Sequence, residues 1–288
     1  MTILLVPNLN KPQAQAVCLR AAMALYRYGA QVLLEDTLQQ SCPIQGAEYL
    51  PIDQAMEKCD AIVTIGGDGT ILRAARDSLS YQKPLLGINL GRMGFLATCE
   101  VGELDKKLGC LVRGEYMADR RMLLEAVVCQ PDKPSVTLTA LNEVVLFKGL
   151  RTQTMGLEVF CDETPVSCYR GDGVVLATPT GSTAYSLSAG GPILDASISG
   201  ILFTPICAHS LQNPPMVFSA RRRLRVQVES ETDEPVYLAA DGHYPPLAIS
   251  PQSRLELGKA AQEITLVQFS QADQFEAIDK KLIRKITL

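Results

Sequence analysis

Only two histidines and no Cys-x-x-Cys pair occur in the 288 residues of this chain, so a zinc site built from His and Cys is not expected. The nine cysteines are odd in number and scattered. Cys18, Cys59, Cys110 and Cys129 lie in apolar surroundings and read as small core residues, and reduced thiols fit the cytoplasm. Basic charge is also scarce. The net charge is −4, which argues against nucleic acid or an anionic membrane as the main partner. The one basic run, Arg221-Arg222-Arg223, reads as a solvated strand edge. No basic leader and no long apolar span is present, and the N-terminus passes directly into a strand-like Ile3–Val6. A soluble cytoplasmic protein is expected. The two commonest nucleotide signatures are missing as well, since no glycine loop ends in Gly-Lys-Ser/Thr or has the Gly-x-Gly-x-x-Gly spacing.

What is present is enough for two domains. Hydrophobic residues make up 47% of the chain and charged residues 20%, ordinary values for a soluble protein with a core. Strand and helix alternate at first: strand 3–6, helix 12–28 stopped at Gly29, strand 31–35, helix 53–59, strand 61–65, strand 83–89 and helix 104–111. That order implies an α/β domain over residues 1–117 with a parallel, Rossmann-like sheet. From 118 to 270 the chain reads mainly as strands, at 123–129, 135–139, 143–147, 156–161, 173–177, 224–229, 236–240 and 264–269. Turns such as Pro131-Asp132, Gly171-Asp172-Gly173 and Asp241-Gly242 separate them. A predominantly β, sandwich-like second domain is expected there, and residues 271–288, helical from Gln274 to Lys285, are expected to return to the first domain.

The organising stretch is Ala61–Arg76. A β-branched run ends in Gly66-Gly67-Asp68-Gly69-Thr70, and helix formers follow. Strand, tight loop and helix N-terminus in that order make an anion site. The glycines let the backbone approach a phosphate and take positive φ. Asp68 fits if it accepts a proton from an attacking hydroxyl, or faces a metal ion; a tight turn with an incidental aspartate is the plain alternative. A second constellation runs from Gly171 to Gly191. A strand leads into a loop with hydroxyls at Thr178, Thr180, Ser182 and Thr183, then into a short helix starting near Ser182 or Thr183. Such a loop suits sugar and phosphate oxygens, and Tyr185 suits a planar base.

These residues carry a resemblance to the NAD kinases. It extends over nearly the whole chain: Gly66–Thr70, Asn89–Ala97, Asn142–Val145, Arg170–Gly191, Asp241-Gly242 and the Asp279–Leu282 tail. The glycine loop alone is shared with lipid kinases and phosphofructokinases; Thr178–Gly191 is far more specific. The resemblance implies that Asp68 is the catalytic proton acceptor for the 2′-hydroxyl of the adenosine ribose. It implies that Gly66, Gly67, Gly69 and Thr70 belong to the donor-phosphate loop and that Arg73 contacts nucleotide. Asn142 and Glu143 would hold the dinucleotide, Arg170 and Asp172 would stand in its pocket, and Phe95 would supply an apolar wall. Thr180, Thr183, Ala184, Tyr185, Ser188 and Asp241 complete the implied binding set. The implied reaction is phosphoryl transfer from ATP to NAD, assisted by Mg²⁺ or another divalent cation, in a homodimer or homotetramer with no nucleic-acid or membrane partner. Phe147-Lys148 and His243 depart from the family pattern, and His243 reads as a surface turn residue without a catalytic role. A lipid or sphingoid kinase and an idle NAD(H)-binding sensor are the alternatives.

Overall fold

The computed structural model describes all residues except 92–93, 132, 151–152, 211–212, 230–233, 244, 271–272 and 280–288. The chain divides into two compact units, one formed by residues 1–120 with the chain from 263 onward, the other by residues 121–262.

The first unit opens with β1 (Thr2–Pro7), α1 (Ala14–Arg27), β2 (Gln31–Glu35), β3 (Glu48–Leu50) and α2 (Ile52–Lys58). It continues through β4 (Ala61–Gly66), α3 (Asp68–Asp77), β5 (Leu85–Asn89), β6 (Cys99–Glu100), α4 (Leu104–Arg113) and the start of β7 (Met117–Cys129). The strands lie in the order β3-β2-β1-β4-β5, all parallel. β1, β4 and β5 are apolar because helices cover the faces of a parallel sheet; every residue of β4 and β5 is buried. Their side chains join those of α1 and α4 in one core, with Leu25, Leu34, Ile65, Leu86 and Leu108 at its centre.

The second unit holds the rest of β7, then β8 (Val136–Ala140), β9 (Glu143–Phe147), β10 (Met155–Cys161), β11 (Thr164–Gly171), β12 (Gly173–Ala177) and the single turn α5 (Tyr185–Ser188). After it come β13 (Gly200–Ile206), β14 (Met216–Ser219), β15 (Leu224–Glu229), β16 (Val236–Ala240), β17 (Leu247–Ile249) and β18 (Arg254–Gln268). One sheet is antiparallel throughout, in the order β14-β13-β12-β9-β16-β17. β10 lies between β11 and β15, and β15 pairs with β18. Leu157 and Val159 of β10 and Val226 of β15 share a core with Val174, Leu176 and Phe203 from the first sheet. That is the apolar filling of a sandwich.

The seams expected at 117/118 and 270/271 fall at 120/121 and 262/263, inside the long strands β7 and β18. α6 (Asp273–Ile278) lies in the expected tail helix; Lys280–Lys285 are outside the described residues. Cys18 and Cys59 are buried as expected, but Cys110 and Cys129 are only half-buried. Cys110 lies on the outer side of α4 beside Arg113, and Cys129 ends a strand beside Ser135.

Candidate active site

In the first unit β4 delivers Gly66 and Gly67 to the start of α3, with Gly67 as the residue before its first turn. None of Gly66, Gly67 and Gly69 takes positive φ, contrary to the reason expected for them; Gly67 is extended, with φ −160°. Their small size serves close approach instead. A Cβ on Gly66 would overlap the hydroxyl of Thr70, which is buried and turned back on the loop. A Cβ on Gly69 would meet nothing, and one on Gly67 would meet only the Lys11 ammonium at 3.9 Å. The outer side of the loop is open, with a lysine over it that the sequence reading did not single out.

Asp68 is the first residue of α3 and is half-buried. The Phe95 N–H donates to Oδ2 at 2.8 Å, and the Leu96 N–H donates to Oδ1 at 3.2 Å. The segment after β5 brings these amides in: the Leu90 N–H donates to the Gly66 carbonyl at 2.8 Å, and Asn89 closes a turn on Gly91. Gly94 lies directly against Asp68, and a Cβ there would overlap the carboxylate. Arg73 projects from α3 and is exposed; Phe95 is half-buried. The loop therefore offers a fixed carboxylate, main-chain donors at a helix N-terminus and nearby cations. These are the parts phosphoryl transfer uses.

In the second unit a cavity of about 400 Å³ is lined by Glu143, Phe147, Lys148, Asp172 and Tyr185 among others. Three of the expected binding residues thus meet in one place. Glu143 is 8% exposed, and its Oε2 has no hydrogen-bond partner. Burial, with the Asp241 carboxylate adding to it, pushes its carboxyl up to about 7, against a hydrogen bond from the Tyr185 amide. Asp172 is paired with Lys148 at 2.7 Å, which gives the departure at Lys148 a role in the cavity wall. Tyr185 is 42% exposed, and Phe147 stacks on Tyr237.

Other expected contacts lie elsewhere. Asp241 accepts from the amides of Leu141, Asn142 and Glu143 at 2.7, 2.7 and 3.1 Å. It clamps the start of β9. Asn142 is buried, and Gly181 is seated on its backbone so closely that a Cβ there would overlap the Asn142 carbonyl. Three of the four loop hydroxyls face inward. Thr178 donates to the Leu141 carbonyl, Ser182 donates to the Pro179 carbonyl, and Thr180 accepts from the buried Arg121 at 3.1 Å. They hold the loop, because a buried hydroxyl must find a partner in the protein. The fourth, Thr183, is half-buried and donates to the Thr180 carbonyl at 3.3 Å, so it alone of the four is not fully inside. The expected short helix is a 3₁₀ turn over Thr180–Thr183 followed by α5. Ala184 is half-buried and Ser188 exposed. Arg170 is exposed and donates to the Thr154 carbonyl, apart from the residues named on the cavity. His243 is exposed, in the turn after β16. Arg121 and Gly94 had no local signal: each acts on a partner far along the chain.

Comparison with known proteins places the chain in a family. Residues 3–116 match the family model "ATP-NAD kinase N-terminal domain", and residues 141–269 match "ATP-NAD kinase C-terminal domain". An NAD kinase from Symbiobacterium thermophilum is 37% identical over 280 residues, covering 96% of this chain and 97% of its own length. The crystal structure of yeast NADH kinase complexed with NADH superposes with a TM-score of 0.89 at 26% identity, over 100% of this chain and 89% of that one. An NAD kinase from Archaeoglobus fulgidus in complex with ATP shares the fold, with a TM-score of 0.73 at 24% identity over 97% and 98% of the two chains. With both parts matched and a relative of this identity along nearly its whole length, the chain belongs to the NAD kinase family.

Proposed function

We propose that this chain is an NAD kinase that transfers the terminal phosphoryl group of ATP to the 2′-hydroxyl of the adenosine ribose of NAD, giving NADP and ADP. The observation that carries the reading is the Asp68 carboxylate. Two main-chain amides hold it at the N-terminus of α3 beside the open glycine loop. A carboxylate has about four acceptor positions, so this one retains the capacity to take the proton of the attacking hydroxyl. Gly66, Gly67, Gly69 and Thr70 form the loop that receives the donor phosphates, with Arg73 as a cation for them and Phe95 as an apolar wall. In the second unit Glu143, Asp172 and Tyr185 face the dinucleotide, joined by Asn142, Arg170, Thr183, Ala184 and Ser188. Asp241 and Thr180 serve by holding the main chain that carries those contacts. Positioning and charge stabilisation supply most of the rate.

Among the described residues no group of three or more His, Cys, Asp or Glu could by itself hold a metal ion. That fits Mg²⁺, which keeps several waters and is bound through one or two carboxylates together with substrate phosphates. Bound with the donor phosphates beside the glycine loop, it would neutralise charge on the transferring phosphoryl and leave Asp68 to the hydroxyl proton.

A lipid kinase would share the glycine loop alone, whereas the family match spans both parts of the chain. No helix among the described residues is long and apolar enough to cross a membrane. All nine cysteines are unpaired, as thiols in the proposed cytoplasmic setting would be. A homodimer or homotetramer is the proposed assembly. The edge strand β14, with Val217 49% exposed, is a candidate contact.

The test is NADP formation from NAD, ATP and Mg²⁺, with wild type and Asp68→Asn side by side. The variant is expected to lose about 10²–10⁴-fold in kcat, the range for a general base, with NAD binding retained. Turnover near the wild-type rate would remove Asp68 from the role.

A further inference from the structure

The first unit holds a cavity of its own. It measures about 210 Å³ and is bordered by Asn8, Asn10, Glu35, Leu38, Ile52 and Arg73 together with the last residues of β1. It lies at the C-terminal ends of β1 and β2, the edge at which open parallel sheets bind ligands. Its volume is below the 300–1,000 Å³ usual for a whole small-molecule ligand, so it suits a part of one.

The lining is chemically mixed. Leu38 and Ile52 give an apolar wall, and the amides of Asn8 and Asn10 lie on the β1 side. Glu35 closes β2 and is half-buried. Its carboxylate caps no helix, and among the described residues it forms no hydrogen bond or ion pair. A vicinal diol satisfies such a group well, because each hydroxyl donates to one carboxylate oxygen. An acid at the end of the second strand is also where dinucleotide folds hold a ribose. Arg73 belongs both to this cavity and to α3, the helix that starts at the glycine loop.

We propose that the nucleoside part of the phosphoryl donor occupies this cavity, with Glu35 accepting hydrogen bonds from its ribose hydroxyls and Arg73 directing its phosphates toward the glycine loop. The assignment rests on the kinase reading and adds the recognition of a ribonucleoside donor, as opposed to inorganic polyphosphate.

The test measures KM for ATP and for 2′,3′-dideoxy-ATP, with NAD as acceptor, for the full-length wild type and for Glu35→Gln. Wild type is expected to prefer ATP by about tenfold or more, the size of a hydrogen bond to a charged group. Glu35→Gln is expected to raise KM for ATP by a similar factor, to leave KM for NAD unchanged and to remove the preference between the two donors. Equal KM values for the two donors in the wild type overturn the assignment without reliance on the variant. So does a preference that survives unchanged in Glu35→Gln, and in both cases NADP formation leaves the kinase reading standing. A direct ATP titration without NAD separates the opposite failure. Weaker ATP binding by Glu35→Gln, with no NADP formed by the wild type, keeps the site and removes the kinase reading.

Discussion

Asp68 and Asp241 are held by the same device and differ in what it leaves free. Each is an aspartate whose carboxylate is gripped by main-chain N–H groups from a distant segment. Asp68 takes two, from Phe95 and Leu96, and stands beside glycines whose outer side is open. Asp241 takes three, from Leu141, Asn142 and Glu143, and returns its own N–H to the Glu143 carbonyl at 3.0 Å. Its backbone is left-handed, with φ 49°, a conformation that aspartate tolerates better than most residues. Of the roughly four acceptor positions on a carboxylate, Asp241 spends most on holding the chain, and Asp68 keeps about half for a ligand. On the proposed function, what remains after the main chain has been satisfied separates a reacting carboxylate from a positioning one.

The strongest way to break this comparison is to spoil the grip on Asp68 without touching Asp68. A methyl group at Gly94 would occupy the volume of the carboxylate, so Gly94→Ala must turn the aspartate or move the segment behind it. Because small displacements at a reacting centre cost about 10²-fold or more, kcat is expected to fall by about 10²–10³-fold, with NAD affinity within a factor of a few. Steady-state kinetics with a parallel NAD titration checks this; unchanged kcat would mean that Asp68 needs no fixed orientation. Asp241→Asn tests the other side. The asparagine oxygen can keep one or two of the amides, while its NH₂ confronts the rest. With hydrogen bonds to charged groups worth about 1.5–3 kcal/mol each, a loss of about 3–5 kcal/mol in unfolding free energy is expected. KM for NAD is expected to rise more than kcat falls. Urea denaturation and kinetics together decide; a kcat loss like that of Asp68→Asn, at full stability, would make Asp241 a reacting group.

Much of the frame was legible from pattern alone. The spans 31–35, 143–147, 173–177, 224–229 and 236–240 are strands at those limits, because apolar, β-branched runs bounded by turn residues leave little choice. The strands that escaped carry the wrong local signals. β13 contains Pro205 within a central strand, where proline is rarely tolerated, and β11 begins Thr164-Pro165 with little buried surface. Gly258 and the small, polar residues after it hid the first half of β18. At the site, the glycine loop showed itself by composition, whereas Glu143 came only through the resemblance. The clamp on Asn142–Glu143 did not show, since its carboxylate is about 100 residues away, nor did the inward turn of Thr178, Thr180 and Ser182, which the buried Arg121 and neighbouring carbonyls decide. Glu35 did leave a trace, an acid closing the second strand, which gains meaning only when a cavity is found beside it.

The mildest test concerns what Asp241 does to its neighbour. Glu143 is buried, has one oxygen without a partner and lies near a carboxylate that three amides keep in place, so its own carboxyl is pushed up to about 7 from 4.5. In the unfolded chain that carboxyl ionises near its ordinary value. Between the two values the folded state binds more proton than the unfolded state, so stability falls as pH rises. The contribution is fully present below pH 4.5, is lost as pH rises to about 7 and does not change above that. A shift of this size is worth on the order of 3 kcal/mol. Glu143→Gln keeps the shape and has no proton to lose. The difference in unfolding free energy between variant and wild type is therefore expected to grow in the variant's favour from pH 4.5 to 7 and then level off. Urea denaturation of both proteins at half-unit pH steps measures it. A difference that stays flat through that window would mean that Glu143 is ionised in the folded protein. The comparison would then change, because Asp241 would be holding a charged partner beside itself instead of a neutral acid that can donate a hydrogen bond into the cavity.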